Sequence, residues 1–284
     1  MKPLYIHCDG GFGNRFNSLI VGLMICERGG FTPVISWPST NVCRASYYDI
    51  FVPQFLFTTD RLEDYSKNLD RFEFVMHENQ LSWNVKNISP YSFDSIDQIV
   101  SHYKKSEKNN LFYYNNLIPN YCDLDLTLIS KIKFKEEYHN IVDEFLKFED
   151  YVGVHLRSTD FPQGTINFDK IYSEIEISDR VYFVCSDSID IENKFNKLKN
   201  VFTFPKKSYA SKINSSLEWR VSKGSVKDER NKDLSFNVER DAQSVKDAIV
   251  DLLILSKSDI MITSSSTFLT TAQLLKSFYY DSSI

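Results

Sequence analysis

The sequence predicts an α/β chain made of two doubly wound halves, and three stretches carry that prediction. The first is an opening strand (residues 4–8), a glycine turn (residues 9–13) and a helical run from Asn14 to about Glu27. The second is a short apolar run, residues 151–156, which reads as a strand covered on both faces and ends directly at Arg157. The third is an apolar helix over residues 242–256, then a strand over 259–263 and the hydroxyl cluster Ser264, Ser265, Ser266 and Thr267. Alternation of strands with helices is the pattern of parallel sheets wrapped on both faces.

Taken in order, the first helix places Phe16, Leu19, Ile20, Leu23 and Met24 at helical spacing. Residues 33–36 read as the next strand. From about Trp37 to Asn120 the chain carries dense aromatics and short apolar pieces, residues 72–76 among them, and no order of elements can be read. Residues 135–148 are amphipathic through Tyr138, Ile141, Val142, Phe145 and Leu146, which predicts a helix leading into the strand at Tyr151. A domain boundary near Asp150 follows, giving domains over residues 1–150 and 151–284. Strands are expected over 181–185 and 201–204, and a closing helix over 268–276. Residues 206–240 are polar, basic and poorly periodic, the pattern of a long loop, and such loops are usually functional or mobile.

Composition narrows the function classes. The chain of 284 residues is 42% hydrophobic and 25% charged, which suits globular domains with real cores. A net charge of −5 excludes a broadly basic nucleic-acid surface, though a local basic cleft stays compatible with it. No apolar run approaches bilayer length, so no transmembrane segment is expected. The opening residues enter a strand pattern without a leader-like apolar stretch, giving the expectation of a cytoplasmic protein, free or peripheral to a membrane. Five scattered cysteines (Cys8, Cys26, Cys43, Cys122, Cys185) form no CxxC pair and read as free thiols, with Cys8, Cys26 and Cys185 in the core. The five histidines lack metal-ligand spacing, so no metal is expected.

The three stretches also hold the candidate site residues. In the turn, Gly11 and Gly13 let backbone approach a ligand, and the helix start offers donors to negative charge. Phe16 stands where a dinucleotide fingerprint needs its third glycine, and no Gly-Lys-Ser/Thr follows, so neither a GxGxxG nor a Walker loop is present. Asn14 and Arg15 are expected to add polar donors at the mouth of a cleft. Arg157, beyond a strand end, offers a permanent charge and a planar fork of donors for phosphate oxygens, with Asp160 as the carboxylate that fixes it. Asp251 lies inside an otherwise apolar helix, where a buried carboxylate is costly unless hydrogen-bonded, so a backbone partner or a ligand must satisfy it. Ser266 and Thr267, between a strand exit and a helix start, supply hydroxyl and N–H donors for a phosphate.

The order GGFGNR, GVHLRSTDF, YFVCSDS and DLLILSKSDIMITSSSTF resembles the GDP-fucose-dependent fucosyltransferase superfamily, in which α1,2-, α1,6-, nodulation-factor and protein O-fucosyltransferases share a GxGN turn, an HxRxxD segment, a strand ending in Ser/Thr-Asp and a late helix–strand–hydroxyl unit. The likeness spans nearly the whole chain. It implies a GT-B glycosyltransferase fold, with two Rossmann-like domains facing a cleft, the acceptor largely on the first and the nucleotide sugar on the second. It further implies inverting transfer of fucose from GDP-fucose to a glycan hydroxyl, in surface-polysaccharide or glycoconjugate synthesis, without a required metal or other cofactor. By the same resemblance Arg157 holds the pyrophosphate and assists leaving-group departure, while His155 and Asp160 line and brace that strand end. Asp251 would accept from the guanine edge, Ser266 and Thr267 would bind phosphate, and Gly13 and Asn14 would approach the pyrophosphate from the other domain. Asp187 would lie near the nucleoside, and Arg240 matches a region where the family often places another arginine. Ser158 departs from the second basic residue common in the α1,2 and α1,6 groups, and the chain is short for the superfamily, which leaves the exact sugar and acceptor open.

A base for the acceptor proton has no spacing argument, and Asp9, Glu27 and Asp49 stay open. Two other readings compete. Asp123-Leu124-Asp125 has the letters of the DxD element of metal-dependent transferases, and a sugar-nucleotide-binding protein without chemistry would keep the same donor residues.

Overall fold

The computed structural model describes residues 1–68, 70–76, 93–115, 126–159, 166–222, 224–231, 233–234 and 236–279. Two compact units emerge: Met1–Ser39 with Ser46–Lys133, and Thr40–Ala45 with Phe134–Ile284. Asp160, the DxD letters at Asp123 and Asp125, and Cys122 lie outside the described residues.

The first unit holds β1 (Pro3–His7), α1 (Phe12–Gly29), β2 (Thr32–Ser36), α2 (Tyr47–Ile50), β3 (Leu56–Thr58), α3 (Leu62–Ser66), β4 (Phe72–Met76), α4 (Ile96–Lys105) and β5 (Asn110–Tyr114). The five strands form a parallel sheet in the order β3-β2-β1-β5-β4. Alternation along β1 sorts its side chains between two layers. Ile6 turns toward α1, which passes so closely that a Cβ on Gly22 would fall 2.5 Å from it. Tyr5 faces the other way and packs edge-on against Tyr65 of α3, in a cluster with Phe72, Phe74 and Phe112. Among the described residues, many of the aromatics that hid the elements between Trp37 and Asn120, Tyr47, Tyr65, Phe74, Tyr103 and Phe112 among them, are buried core residues of short strands and helices.

The second unit holds α5 (Glu136–Phe145), β6 (Val152–Leu156), α6 (Phe168–Glu176), β7 (Tyr182–Ser186), α7 (Ile189–Phe195), β8 (Val201–Phe202), β9 (Val226–Lys227), β10 (Asp233–Leu234), α8 (Ala242–Ser256), β11 (Asp259–Met261) and α9 (Thr267–Tyr279). Its main sheet is parallel, in the order β11-β6-β7-β8. All five residues of β6 are buried, as its apolar sequence predicts. Val152, Val154 and Leu156 join Ile175, Val184 and Phe195 on the α6/α7 face. Gly153 and His155 turn to the opposite face, where a Cβ on Gly153 would collide with Ser258 Oγ and lie 2.9 Å from Leu255. Only glycine permits that approach of strand to helix.

Because α5 packs against α8, Asp150 lies inside the second unit instead of at its edge. The segment 206–240, expected as an open loop, is held by the small antiparallel pair β9–β10 and by Asn237, whose Nδ2 donates to the carbonyls of Asn214 (2.7 Å), Glu218 (3.1 Å) and Leu217 (3.2 Å). Residues 40–45 run along its end: Asn41 Nδ2 donates to Val238 O at 2.9 Å, Arg240 N to Asn41 O at 2.7 Å and Arg44 N to Arg240 O at 3.1 Å. Cys8, Cys26, Cys43 and Cys185 are buried free thiols, and burial raises the pKa of Cys8, Cys26 and Cys185, which suppresses their thiolates. Among the described residues no helix is long and apolar enough to cross a membrane.

Candidate functional site

In open parallel sheets ligands gather where neighbouring connections leave in opposite directions. In the second unit the chain runs from β6 out to β8 and returns to β11 on the other side of β6. The carboxyl ends of β6 and β11 therefore flank that point, and the residues just beyond them are Arg157 and residues 263–267. Thr263 Oγ1 donates to His155 O at 2.6 Å, tying the two strand exits together.

Arg157, half-buried, is the first residue past β6. The two after it are fixed by Asp187, just past β7: Ser158 N donates to its Oδ1 at 2.8 Å and Thr159 Oγ1 to its Oδ2. Arg240 reaches the same place, with Nη2 3.4 Å from both Asp187 Oδ2 and Thr159 Oγ1. Asp187, expected beside a nucleoside, thus clips the β6 exit to the β7 exit and draws in Arg240. His155 is buried against Phe268 (ring centroids 4.8 Å apart), with Nδ1 3.4 Å from Ser266 Oγ. Burial lowers its pKa to about 4; Asp187 opposes that change, while Arg157, Lys206 and Arg240 reinforce it. At neutral pH the imidazole is uncharged, and the positive charge at this strand end belongs to guanidinium groups.

Ser266 is the N-cap of α9, its Oγ accepting from Leu269 N at 3.2 Å. That hydroxyl, expected on a phosphate, is turned into the helix start and toward His155. Thr267, half-buried, begins α9 and contributes its carbonyl to Thr271 Oγ1 at 2.8 Å. Ser264, not singled out from the sequence, has a buried Oγ with no hydrogen-bond partner among the described residues.

Asp251, on α8, is buried as its apolar neighbours predict, and its partner is Lys206, with Nζ 2.7 Å from Oδ2. Lys206 also lies 2.5 Å from Glu192 Oε1 and donates to Ser186 O at 2.5 Å. Asp251 Oδ1 has no hydrogen-bond partner among the described residues. Burial raises the Asp251 pKa to about 7 against the pull of Lys206. Burial disfavours the Lys206 charge, yet Asp251 and Glu192 outweigh it and hold the ammonium well above its ordinary range. Neither Lys206 nor Glu192 carried a sequence signal, since the partners lie 45 and 14 positions from Lys206.

In the first unit the turn between β1 and α1 sits at the corresponding point, between β1 and β5. Gly10 takes φ +82°, Gly11 is the N-cap of α1 at φ −70° and ψ 168°, and Gly13 is buried in the first turn. Asn14 is half-buried and folds back over Gly10. Arg15 corrects the expectation of a donor at a cleft mouth. Its side chain is fully buried, with Nε on Gly10 O (2.7 Å), Nη1 on Pro38 O (2.8 Å) and the guanidinium 5.0 Å above the Trp37 ring. Of the three acids left open as a base, Asp49 is spent in the capping box with Ser46, and Glu27 lies near the far end of α1, paired with Lys131. Asp9 stands at the β1 exit, its Oδ1 accepting from Gly10 N at 2.7 Å.

The two parallel α/β units make this a GT-B-type, Rossmann-like fold. Comparison with solved structures gives the same architecture over nearly the whole chain. The NodZ α-1,6-fucosyltransferase co-crystallized with GDP superposes with a TM-score of 0.58 at 16% identity, covering 96% of this chain and 92% of that one. The selenomethionine form of NodZ from Bradyrhizobium gives 0.57 at 17%, with the same coverages. POFUT1 in complex with GDP-fucose gives 0.51 at 14%, covering 97% and 95%. At such identities the likeness establishes the fold. No family model matches the sequence, and no curated protein matches it significantly.

Proposed function

We propose that the chain is an inverting, metal-independent glycosyltransferase that moves fucose from GDP-fucose to a glycan hydroxyl. One observation carries the reading: Arg157 leaves β6 at the switch point of the second unit, beside Arg240, Asp187 and the start of α9, in a fold shared with proteins solved with GDP and GDP-fucose. In the reaction the acceptor oxygen attacks the anomeric carbon from the face opposite the nucleotide. The carbon–oxygen bond to the β-phosphate breaks, its electron pair leaves with GDP, and the acceptor proton passes to a base or to water. Charge grows on the departing phosphate, and a fixed guanidinium stabilises it most where it is greatest. Arg157 has that role, with Arg240 and the α9 N–H groups adding positive potential. A neutral His155 neither competes for the phosphate nor repels the guanidinium groups. Asn14, Gly11 and Gly13 are assigned to the donor from the first unit. Asp251, expected at the guanine edge, is buried against Lys206 and takes no part in this scheme. The site needs no divalent cation in this scheme because guanidinium groups supply the charge. A cytoplasmic location, free or peripheral to a membrane, is part of the same proposal.

The test is GDP release from a panel of GDP- and UDP-sugars, with oligosaccharide acceptors, in excess chelator. Turnover of GDP-fucose is expected to persist, and Arg157→Ala is expected to lower kcat/KM by about 10²–10³ with an unchanged unfolding midpoint. Activity that appears only when a divalent metal is restored, or near-normal turnover in Arg157→Ala, overturns the mechanism. GDP binding without turnover on any acceptor makes the chain a binding protein.

A further inference from the structure

Lys206 lies at the centre of a buried set of charges that the transfer reaction does not itself use. Its side chain is 4% exposed, Glu192's is 3% and Asp251's is 5%. The three come from different places in the second unit: the segment after β8, α7 and α8. Tyr209 closes the set, its hydroxyl donating to Glu192 Oε2 at 2.6 Å, with its ring 4.8 Å from Lys206 Nζ. Residues 207–208 are bound to α8 in the same way, Lys207 N and Ser208 N donating to Asp247 Oδ2 at 2.7 and 2.9 Å.

What this set grips is the end of β7. Both peptide groups of Ser186 are taken by its side chains: Glu192 Oε1 accepts from Ser186 N at 2.7 Å, and Lys206 Nζ donates to Ser186 O at 2.5 Å. The next residue is Asp187, whose carboxylate receives Ser158 N and Thr159 Oγ1 and draws in Arg240. Those two residues directly follow Arg157. A continuous line of hydrogen bonds therefore runs from the buried ammonium, through one peptide unit of β7, to the segment that carries the candidate clamp. A buried ion cluster gives little net stability compared with apolar residues of the same volume, and what its directed bonds contribute here is a fixed geometry at the end of β7.

We infer that Lys206 is a positioning residue: with Glu192 it sets Ser186 and Asp187, and through them the segment after β6 that aims Arg157 and Arg240 at the nucleotide. The aim rests on the reading of Arg157 as the phosphate clamp, but the mechanical link does not. Lys206→Met keeps length and removes the ammonium. It leaves Asp251 and Glu192 facing each other, so Lys206→Met/Asp251→Leu serves as the companion that removes the orphaned charge.

Two readouts separate the claims. Hydrogen exchange at the Ser158 amide reports Asp187 geometry without any donor, and is expected to speed up at least about tenfold in both variants while the amides of β6 keep their protection. Titration with GDP reports the aim, and Lys206→Met is expected to weaken binding by about tenfold to a hundredfold, whereas Lys206→Arg restores part of it. Unchanged exchange at Ser158 in the folded double variant overturns the link. If wild type does not bind GDP, the transferase reading fails and the exchange result still decides the link. If exchange rises and GDP affinity stays at the wild-type value, the positioning role is overturned.

Discussion

His155 offers a perturbation whose size can be worked out beforehand. Its folded pKa of about 4 lies below the ordinary histidine value of 6.5, chiefly because burial disfavours the imidazolium. Below pH 6.5 the unfolded chain takes up a proton at this position and the folded chain does not, so stability falls as pH drops, until the folded group also titrates near pH 4. Each tenfold difference in proton affinity between the two states is worth about 1.4 kcal/mol, so the full loss is about 3 kcal/mol, of which about 2 kcal/mol has been lost by pH 5. His155→Gln removes the group and keeps a polar side chain beside Ser266. The assay is urea unfolding of both proteins at pH 7, 6 and 5. The wild type is expected to lose about 2 kcal/mol more than the variant between pH 7 and 5, whatever the offset at pH 7. Asp251, with its pKa raised to about 7, works in the opposite direction, but it is present in both proteins and cancels in the comparison. Parallel pH profiles would show that the buried imidazole gains its proton as readily folded as unfolded, and the uncharged-histidine account of this strand end would be wrong.

Two other substitutions test the packing around the site. Gly153→Ala is expected to cost about 1–3 kcal/mol, because its Cβ would collide with Ser258 Oγ and β6 or α8 must move apart; a neutral effect in denaturant unfolding would contradict that contact. Along residues 40–45, Asn41→Ala should cost about 1–2 kcal/mol by leaving Val238 O without its buried donor, while Arg44→Ala, which loses a half-exposed pair with Glu239, should cost less than about 1 kcal/mol. The reverse ranking in the same unfolding assay would mean that the salt bridge, and not the amide, holds the segment beside Arg240.

Much of the fold was legible because its central strands and helices advertise burial. Residues 242–256 are apolar enough to be read as a helix with the bounds that α8 takes, and the buried run 151–156 became β6 with one residue trimmed. The segment between Trp37 and Asn120 was opaque for a physical reason: aromatic residues suit strand and helix cores alike, and strands as short as Leu56–Thr58 show no period. Two helices do carry a periodic signal that the surrounding polar residues obscure. In α4, Ile96, Ile99, Val100 and Tyr103 share one face behind a Ser95 cap, and in α6, Phe168, Ile171, Tyr172 and Ile175 do the same behind Asn167.

Two arginines that follow strands show what local sequence can and cannot decide. Arg15 and Arg157 both stand near glycine at the end of a first strand, and both invite a role with ligand. Helical phase separates them. Arg15 is three residues after Phe12 and four before Leu19, so it falls on the stripe that α1 buries, where the carbonyl of Gly10 in its own turn and that of Pro38 past β2 take its donors. Arg157 precedes any helix and is not committed to a core face. Asp251 marks the opposite case. Desolvation requires a partner for its carboxylate, and the fold supplies one. The partner is a lysine 45 residues away, brought in by the path of residues 206–209 along α8, and no local pattern encodes such a path. Charges satisfied within one element can be read from spacing; those satisfied across elements need the fold, and at this site the latter set the geometry around Arg157.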